Sequence, residues 1–141
     1  GVIADIPAVA AEARDIVKVR GMEGRCEVIE CDFYDRVPEG GDIYILSNIL
    51  HDWDDDRCLT ILGNIRKAMG DGSRLLVIEM IVPPGNGWSI AKLLDLEMFV
   101  LSGGKERTGR EYEDLLRRAG LEILRIIPTR GDMSLVEAVA V

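Results

Sequence analysis

Hydrophobic and polar positions along this 141-residue chain follow two different periods. Short continuous apolar runs, such as residues 43–46 and the four residues between Arg74 and Glu79, are typical of strands buried within a parallel sheet. Other apolar residues recur at the three- and four-residue spacing of an amphipathic helix, as at Cys58, Ile61, Leu62, Ile65 and Met69. Strands that alternate with helices predict an α/β fold, with a mostly parallel sheet and helices on both of its faces.

The pattern predicts six strands and four helices in one domain. The strands are expected over residues 2–4, 26–31, 43–46, 74–79, 121–127 and 134–141. The helices are expected to begin near Pro7, Asp54, Ser89 and Thr108. Only a short turn joins the last two strands, so we expect them to form an antiparallel hairpin. The helix over residues 89–101 is almost entirely apolar, and we expect it to be buried on most sides.

The composition narrows the possible functions. Seventeen Lys and Arg residues against 25 Asp and Glu residues give a net charge of −8, which argues against a nucleic-acid-binding surface. No apolar run has the length of a membrane span, and the first five residues lack the basic flank of a signal peptide. Cys26, Cys31 and Cys58 form no CxxC pair, which indicates buried thiols. We therefore expect a cytoplasmic protein that binds neither nucleic acid nor membrane.

Acidic and polar residues lie at the carboxyl ends of the predicted strands. Asp5 ends the first strand, Asp32 follows the second, residues 47–52 follow the third and Glu79 ends the fourth. Ligands of open parallel sheets bind outside this edge. We therefore expect these residues to be neighbours in space and to form the site.

The residues by themselves leave more than one interpretation open. Asp5 could accept the two hydroxyls of a ribose, or it could cap the helix that follows. Asp32 and Phe33 could contact an adenine, or they could be a strand end above a core phenylalanine. His51 is the only histidine. A single histidine is more often structural, but its place at a strand end near Glu79 favours a general base.

A metal centre is not predicted. Asp54, Asp55 and Asp56 are consecutive, so in a helix they cannot all face one ion. They are better explained as the N-terminal cap and first-turn carboxylates of that helix. No second histidine or paired cysteine completes a ligand set.

Five segments carry a resemblance to a known family. They are residues 5–7 (Asp-Ile-Pro), 32–33 (Asp-Phe), 50–55 (Leu-His-Asp-Trp-Asp-Asp), 74–79 followed by Pro83, and 103–108 (Gly-Gly-Lys-Glu-Arg-Thr). Their order and spacing are similar, over essentially the whole chain, to the C-terminal part of S-adenosylmethionine-dependent O-methyltransferases. The similar group contains plant caffeate and flavonoid enzymes and bacterial polyketide-tailoring enzymes. The resemblance implies a Rossmann-like class I methyltransferase sheet and transfer of a methyl group to a hydroxyl of a small aromatic molecule.

The same resemblance implies S-adenosylmethionine as the cofactor and a set of residues that bind it. Asp5 would hold the ribose hydroxyls, and Asp32 would bind the adenine amino group with Phe33 against the ring. Ser47 would be a further cofactor contact, at a position where many plant relatives have a lysine.

The resemblance also implies the catalytic residues and part of the acceptor pocket. His51 would be the general base, and Glu79 and Glu106 would flank its imidazole and orient it. Asp52 would lie at the edge of the acceptor pocket, and Met98 would contribute apolar wall. No metal ion would take part.

In this family a glycine-rich loop, the strand before it and a helical dimerisation domain lie upstream of the matched segments. We therefore expect residues 1–141 to be a partial methyltransferase domain, and the protein to be a homodimer when the upstream domain is present. The missing strand would be central, between the strand that ends at Asp5 and the strand over residues 43–46. Without it, two strand edges would be left unpaired.

Two other functions remain as alternatives. One is a truncated or degenerate relative that binds a ligand or partner without catalysis, which the absence of the glycine-rich loop from these residues favours. The other is a nicotinamide-dependent oxidoreductase, because Asp5 also suits the ribose of a dinucleotide. No Ser-Tyr-Lys or similar hydride-transfer set accompanies it, so the O-methyltransferase is the favoured hypothesis.

Overall fold

The computed structural model describes all 141 residues and contains seven strands and four helices. The strands are β1 (Val2–Asp5), β2 (Glu27–Glu30), β3 (Ile43–Ser47), β4 (Arg74–Val82), β5 (Arg107–Thr108), β6 (Leu121–Pro128) and β7 (Met133–Ala140). The helices are α1 (Pro7–Val19), α2 (Asp55–Ala68), α3 (Ile90–Leu101) and α4 (Gly109–Arg118), and a 3₁₀ turn (Leu50–Asp52) precedes α2. None of these helices combines the length and the hydropathy needed to cross a lipid bilayer.

The strands form a mixed sheet in two parts. The larger part has the order β3-β4-β7-β6, with β3 parallel to β4 and with β7 antiparallel to both of its neighbours. The short strand β5 lies parallel to the carboxyl end of β4. The smaller part consists of β1 and β2, which pair in parallel. The α/β fold with an antiparallel C-terminal hairpin is therefore confirmed.

A groove separates the two parts of the sheet. β1 pairs only with β2, and β3 pairs only with β4, so each keeps one unpaired edge. The groove has a volume of about 480 Å³, and its lining includes Val2 and Ala4 of β1 and Ile43 and Ile45 of β3. This is the place where the family resemblance predicts a further strand, and that strand stays a prediction.

The core lies between the larger part of the sheet and the helices α2 and α4. It is built from the apolar stripes of both helices and from alternate residues of the strands, including Ile61, Leu62, Leu75, Val77, Tyr112, Leu116 and Val136. Side-chain caps determine where both helices begin. Asp54 accepts a hydrogen bond from the amide of Arg57, and Thr108 forms a capping box with Glu111. These two helix starts lie directly after the segments that carry His51 and Glu106.

Helix α3 differs from its prediction. We expected it to be buried on most sides, but only Ala91 is buried. Its large apolar side chains are more than half exposed at Leu93, Leu96, Phe99, Val100 and Leu101. The reason is that α3 packs on β4 and no element of this chain covers its outer face. An apolar surface of this kind is typical of a contact with a ligand or another protein segment.

The sequence predicted Glu79 at the end of its strand, but Glu79 lies within the strand. β4 continues three residues further to Val82, because β5 pairs with Ile81 and Val82. Side chains of a strand alternate between its two faces, so Glu79 shares the buried face with Leu75 and Val77. A carboxylate is thereby placed inside the fold, beside the turn that carries His51.

Candidate active site

A sharp turn leads from β3 into the segment that carries His51. Asn48 adopts a left-handed backbone conformation with φ of 53°, which asparagine tolerates better than most residues. Its amide donates a hydrogen bond to the carbonyl of Ile78, 3.1 Å away, so the turn stays beside β4. Leu50 is then buried in the core, and His51 lies in the 3₁₀ turn at the carboxyl end of the sheet.

Glu79 holds this turn from within the protein. Its Oε1 atom accepts hydrogen bonds from the amides of Ile49 and Leu50, both at 2.9 Å. Its Oε2 atom is buried without a hydrogen-bond partner and lies 3.5 Å from Nδ1 of His51. Burial raises the pKa of Glu79, although the charge of His51 and the two backbone hydrogen bonds act against that rise.

Glu106 contacts the same imidazole nitrogen. Nδ1 of His51 and Oε1 of Glu106 are 3.1 Å apart, and the side chain of Glu106 is buried. The backbone amide of Glu106 donates to Oδ1 of Asp95 on α3 at 3.0 Å. The hydrogen bond with Glu106 raises the pKa of His51. Burial opposes this rise, whereas the charges of Glu79, Glu106 and Asp52 support it.

The arrangement gives the two imidazole nitrogens different tasks. Because Nδ1 faces two carboxylates, we assign the proton of the neutral ring to Nδ1. The lone pair of Nε2 is then free to take a proton from a ligand. Nε2 lies 3.6 Å from Oδ1 of Asp52, whose side chain is half-exposed. An imidazole whose tautomer and orientation are held by carboxylates in this way can act as a general base, and that role of His51 stays a prediction.

The same three side chains also have the composition of a possible metal site. His51, Glu79 and Glu106 offer ligand atoms that all lie within 4.8 Å of one another. A divalent ion bound there would replace the hydrogen bond between Nδ1 and Glu106. From the sequence we expect no metal ion at this cluster, and the absence of a metal stays a prediction.

Asp5 and Asp32 lie at the carboxyl ends of neighbouring parallel strands. Asp5 is paired in register with Glu30, two residues before Asp32. One oxygen of each carboxylate accepts a local amide, from Ile6 and from Tyr34, at 2.8 Å in both cases. The other oxygen of each is not engaged in a hydrogen bond, so both carboxylates can accept donors from a ligand.

Phe33 lines the groove between the two parts of the sheet, and Ser47 follows the groove-lining residue Leu46 at the end of β3. Phe33 is half-buried and packs at 5.1 Å between ring centroids against Tyr34. Ser47 is exposed at the end of β3, where its hydroxyl accepts a weak hydrogen bond from Asn48 at 3.4 Å. Free carboxylate oxygens beside an aromatic ring fit the ribose and adenine of a nucleoside. The roles of these residues toward the cofactor stay predictions.

Met98 lies on helix α3. It is half-buried, and its carbonyl accepts the amides of Ser102 and Gly103 where the helix ends. It therefore starts the turn that leads to Glu106. The structure thus brings His51, Asp52, Glu79 and Glu106 together, and the role of Met98 in an acceptor pocket stays a prediction.

Two residues near the base were not identified from the sequence. Asp95 binds the amide of Glu106, and a single aspartate in the almost apolar run 89–101 was a signal that could have revealed it. Arg107 is fully buried beside the His51 turn. It stands in the Gly-Gly-Lys-Glu-Arg-Thr segment, but arginine is so seldom buried that nothing in the sequence marked it as part of the interior.

Known proteins are similar to this chain over nearly its whole length. The model of the O-methyltransferase domain family matches residues 1–122. The phenazine O-methyltransferase PhzM of Lysobacter antibioticus is 42% identical over 138 residues, which cover 98% of this chain and 40% of that protein. The 8-amino-8-demethylriboflavin N,N-dimethyltransferase of Streptomyces davaonensis is 40% identical over 139 residues, which cover 97% of this chain and 40% of that protein.

A solved structure with bound ligands is also similar. It is the crystal structure of the O-methyltransferase NcsB1 from neocarzinostatin biosynthesis, in complex with S-adenosylmethionine and 2-hydroxy-5-methyl naphthoic acid. Its TM-score is 0.90 at 35% identity, and the match covers 100% of this chain and 41% of the solved one. The chain therefore spans about two fifths of the length of the relatives that it matches.

Proposed function

The chain belongs to the O-methyltransferase domain family, and from this premise we propose that it transfers a methyl group from S-adenosylmethionine to a hydroxyl of a small aromatic molecule. Residues 1–141 are, in this proposal, part of the methyltransferase domain, and His51 is the general base. The whole protein is further proposed to be a cytoplasmic homodimer. Each of these statements goes beyond the family membership itself.

One observation carries the proposal. Nδ1 of His51 is flanked by Glu106 at 3.1 Å and by Glu79 at 3.5 Å, and the three residues come from three separate segments of the chain. Local capping cannot explain such a meeting, because only the fold brings these segments together. Two buried carboxylates on one nitrogen leave the other nitrogen as the proton acceptor.

The proposed step at the base is the removal of one proton. Nε2 of His51 takes the proton of the acceptor hydroxyl, and the oxygen becomes a stronger nucleophile. The resulting imidazolium carries a positive charge, which Glu106 and Glu79 stabilise from the side of Nδ1. Asp52, whose Oδ1 atom lies 3.6 Å from Nε2, would be at the edge of the acceptor pocket. The cofactor, when bound, supplies an electrophilic methyl group on a sulfonium.

The free carboxylate oxygens at Asp5 and Asp32 support the cofactor assignment. Asp5 would bind the ribose hydroxyls, and Asp32 with Phe33 would bind the adenine. Both carboxylates already hold one local amide, so their orientation is fixed before a ligand arrives. NcsB1, which shares this fold, has been crystallised with S-adenosylmethionine.

An aromatic acceptor is supported by two of the relatives. One is named a phenazine O-methyltransferase, and NcsB1 was crystallised with a naphthoic acid. The apolar residues of α3, which include Met98, would form one wall for such a ring. The riboflavin-type relative transfers methyl groups to nitrogen, and it supports a second candidate function, in which the acceptor is an aromatic amine.

The test is a methyl-transfer assay on a fusion protein. Because the chain spans about two fifths of its relatives, its 141 residues are joined to the preceding part of the Lysobacter phenazine enzyme. The fusion is incubated with radiolabelled S-adenosylmethionine and with matched panels of aromatic hydroxyls and aromatic amines. We expect label in at least one hydroxyl compound, and we expect the unfused chain to be poorly active.

Three results would decide against parts of this proposal. Binding of S-adenosylhomocysteine by calorimetry without any turnover would favour the non-catalytic alternative. Turnover of amines alone would favour the second candidate. Transfer that is unchanged when His51→Ala is introduced into the fusion would remove the base from the mechanism.

A further inference from the structure

We propose that residues 104–107 act as a clamp on the backbone of the His51 turn, and that Arg107 is a positioning residue for the base. The name clamp is used below for residues 104–107 only. The inference rests on the proposed function of His51 as a base, because positioning has meaning only for a group that must be placed. So far only Glu106 of this segment has been given a proposed role, and the inference gives a role to its neighbours as well.

Arg107 holds the two ends of the turn. Its side chain is fully buried, which is rare for arginine. Nη1 donates to the carbonyl of Leu50 at 2.7 Å, and Nη2 donates to the carbonyl of Trp53 at 2.9 Å. These two carbonyls lie on either side of His51 and Asp52. One rigid guanidinium therefore fixes the distance between the two ends of the segment that carries the base.

The other clamp residues hold the middle of the turn. The amide of Lys105 donates to the carbonyl of His51 itself at 2.9 Å. At Gly104 the two backbones approach so closely that a Cβ atom would lie 1.9 Å from the same carbonyl oxygen. Only glycine fits there without displacing the turn. The carbonyls of three turn residues, Leu50, His51 and Trp53, are thus all contacted by the clamp.

The charge of the buried guanidinium is balanced by Asp55. Nη2 and Nε of Arg107 lie 2.8 Å and 3.2 Å from Oδ1 of Asp55, in the first turn of α2. Burial by itself would raise the pKa of Asp55, but the hydrogen bond and charge of Arg107 lower it. An unpaired buried charge would be costly, so this pair allows Arg107 to stay inside. It also connects the clamp to the helix that follows the turn.

Glu106 lies between the two clamp residues that bind the turn. The same short segment therefore supplies the carboxylate for Nδ1 and holds the backbone of the residue that owns Nδ1. Any shift of the turn relative to the clamp would change the 3.1 Å distance between His51 and Glu106. Lysine cannot replace Arg107 in this task, because a single ammonium group lacks the planar fork that reaches two carbonyls at once.

The test uses the fusion protein, in which the NMR signal of His51 is identified by its absence from the His51→Ala variant. The imidazole Hε1 resonance is followed as a function of pH in the unchanged fusion and in Arg107→Lys, Arg107→Met and Gly104→Ala. Glu79, Glu106 and Asp52 face the ring. In the unchanged fusion we expect a midpoint above about 6.5, the ordinary imidazole value. In the three variants we expect it to fall toward that value, with the largest fall in Arg107→Met.

Arg66→Met is the matched control. Arg66 also donates to two backbone carbonyls, those of Gly120 and Val141. These carbonyls lie at the end of the larger part of the sheet that is opposite to His51. We expect this variant to lose stability in thermal unfolding without moving the His51 midpoint. A purely structural role of Arg107 would give the same result at both sites, whereas a positioning role moves the midpoint only at the clamp.

The inference is overturned if the folded clamp variants keep the midpoint of the unchanged fusion, or if that fusion itself titrates at or below about 6.5. Should Arg107→Met fail to fold, Arg107→Lys and Gly104→Ala are judged by the same criterion. The NMR signal needs neither cofactor nor turnover. An inactive fusion with the expected titrations would refute the proposed function, and only the hold of the clamp on the His51 ring would remain supported. An active fusion in which the clamp variants keep the His51 midpoint unchanged would support the proposed function and refute the clamp.

Discussion

Nδ1 of His51 lies 3.1 Å from Oε1 of Glu106, across 55 residues of sequence. Glu79 approaches the same nitrogen from β4, whereas Nε2 faces the half-exposed Asp52. One side of the imidazole is therefore buried against two acids, and the other side faces a carboxylate that is half-exposed to solvent. This difference between the two nitrogens has consequences that can be measured.

Removal of the imidazole should slow transfer without affecting cofactor binding. In the fusion protein, we expect His51→Ala to lower the rate on a neutral phenol by about 10²–10⁴-fold, the usual contribution of a positioned base. An acceptor whose hydroxyl is already ionised should narrow this deficit, because no proton remains to be removed. Steady-state rates on the two acceptors, with calorimetric cofactor affinity as the control, test the prediction. Equal deficits on both acceptors would contradict it.

Glu79→Gln should be the milder change. The amide oxygen of glutamine can still accept the amides of Ile49 and Leu50, so the turn keeps its support. What is lost is the carboxylate 3.5 Å from Nδ1 of His51, which helps to orient the ring and to stabilise its charged form. We expect a smaller loss of rate than for His51→Ala, measured under the same conditions. A larger loss would show that Glu79 itself moves the proton.

The rate should rise with pH through a midpoint above the ordinary imidazole value of about 6.5. The neutral form of His51 is the base, and the hydrogen bond with Glu106 raises its pKa, so deprotonation requires a higher pH. Glu106→Gln should shift this limb of the kcat/KM profile to lower pH. The raised pKa also stabilises the fold, fully below about 6.5 and no longer above the folded-state pKa. Urea unfolding across that range measures the loss, which Glu106→Gln should reduce.

Asp5→Ala should weaken cofactor binding by about 1–3 kcal/mol, the range for a lost hydrogen bond to a charged group. Asp32→Ala should have an effect of similar size, because each carboxylate keeps one oxygen free for the ligand. Calorimetric titration of the fusion with S-adenosylhomocysteine measures both. Asp15→Ala provides the control, since Asp15 is an exposed acid on α1 away from the strand ends. If the unchanged fusion and its three variants all bind S-adenosylhomocysteine with the same affinity, Asp5 and Asp32 do not bind the cofactor.

Chelation should leave methyl transfer unchanged. The mechanism assigns Nδ1 of His51 to a hydrogen bond with Glu106, and no step requires an ion. Assays before and after dialysis against EDTA test this. Added Zn²⁺ should inhibit, because an ion on Nδ1 would leave the remaining imidazole proton on Nε2, where no further proton could be accepted. Loss of activity on chelation, restored by a divalent ion, would instead assign the cluster of His51, Glu79 and Glu106 to a metal.

Much of the fold could be predicted because local signals agree with it. The capping box at Thr108, the acidic start of α2 and the short hairpin turn all act within a few residues, so they can be recognised in the sequence. The exposure of α3 could not be predicted in the same way. An apolar pattern shows which residues avoid water, but it does not show which element covers them, and in this chain nothing covers Phe99 or Leu101.

The residues of the site could be predicted from the sequence, but the contacts that hold them in position could not. His51, Glu79 and Glu106 were expected to meet, and the structure brings them together, although their roles stay predictions. The position of Glu79 within β4 depends on β5, a two-residue strand with no pattern of its own. The contacts by which Arg107 holds the His51 turn are made with backbone carbonyls, and every residue has a carbonyl. The identity of the residues that accept these hydrogen bonds therefore gives no indication of the contact.

The groove between β1 and β3 means that the chain consists of two units with different resistance to opening. Residues 1–30 form a unit of β1, α1 and β2 that shares no sheet hydrogen bond with the rest. The loop after it is tied to α2 by the side-chain amide of Asn64, which donates to the carbonyls of Phe33 and Tyr34. Backbone amides of β1 and β2 should therefore exchange with deuterium by local opening, while those of β4 and β7 exchange only when the whole chain unfolds.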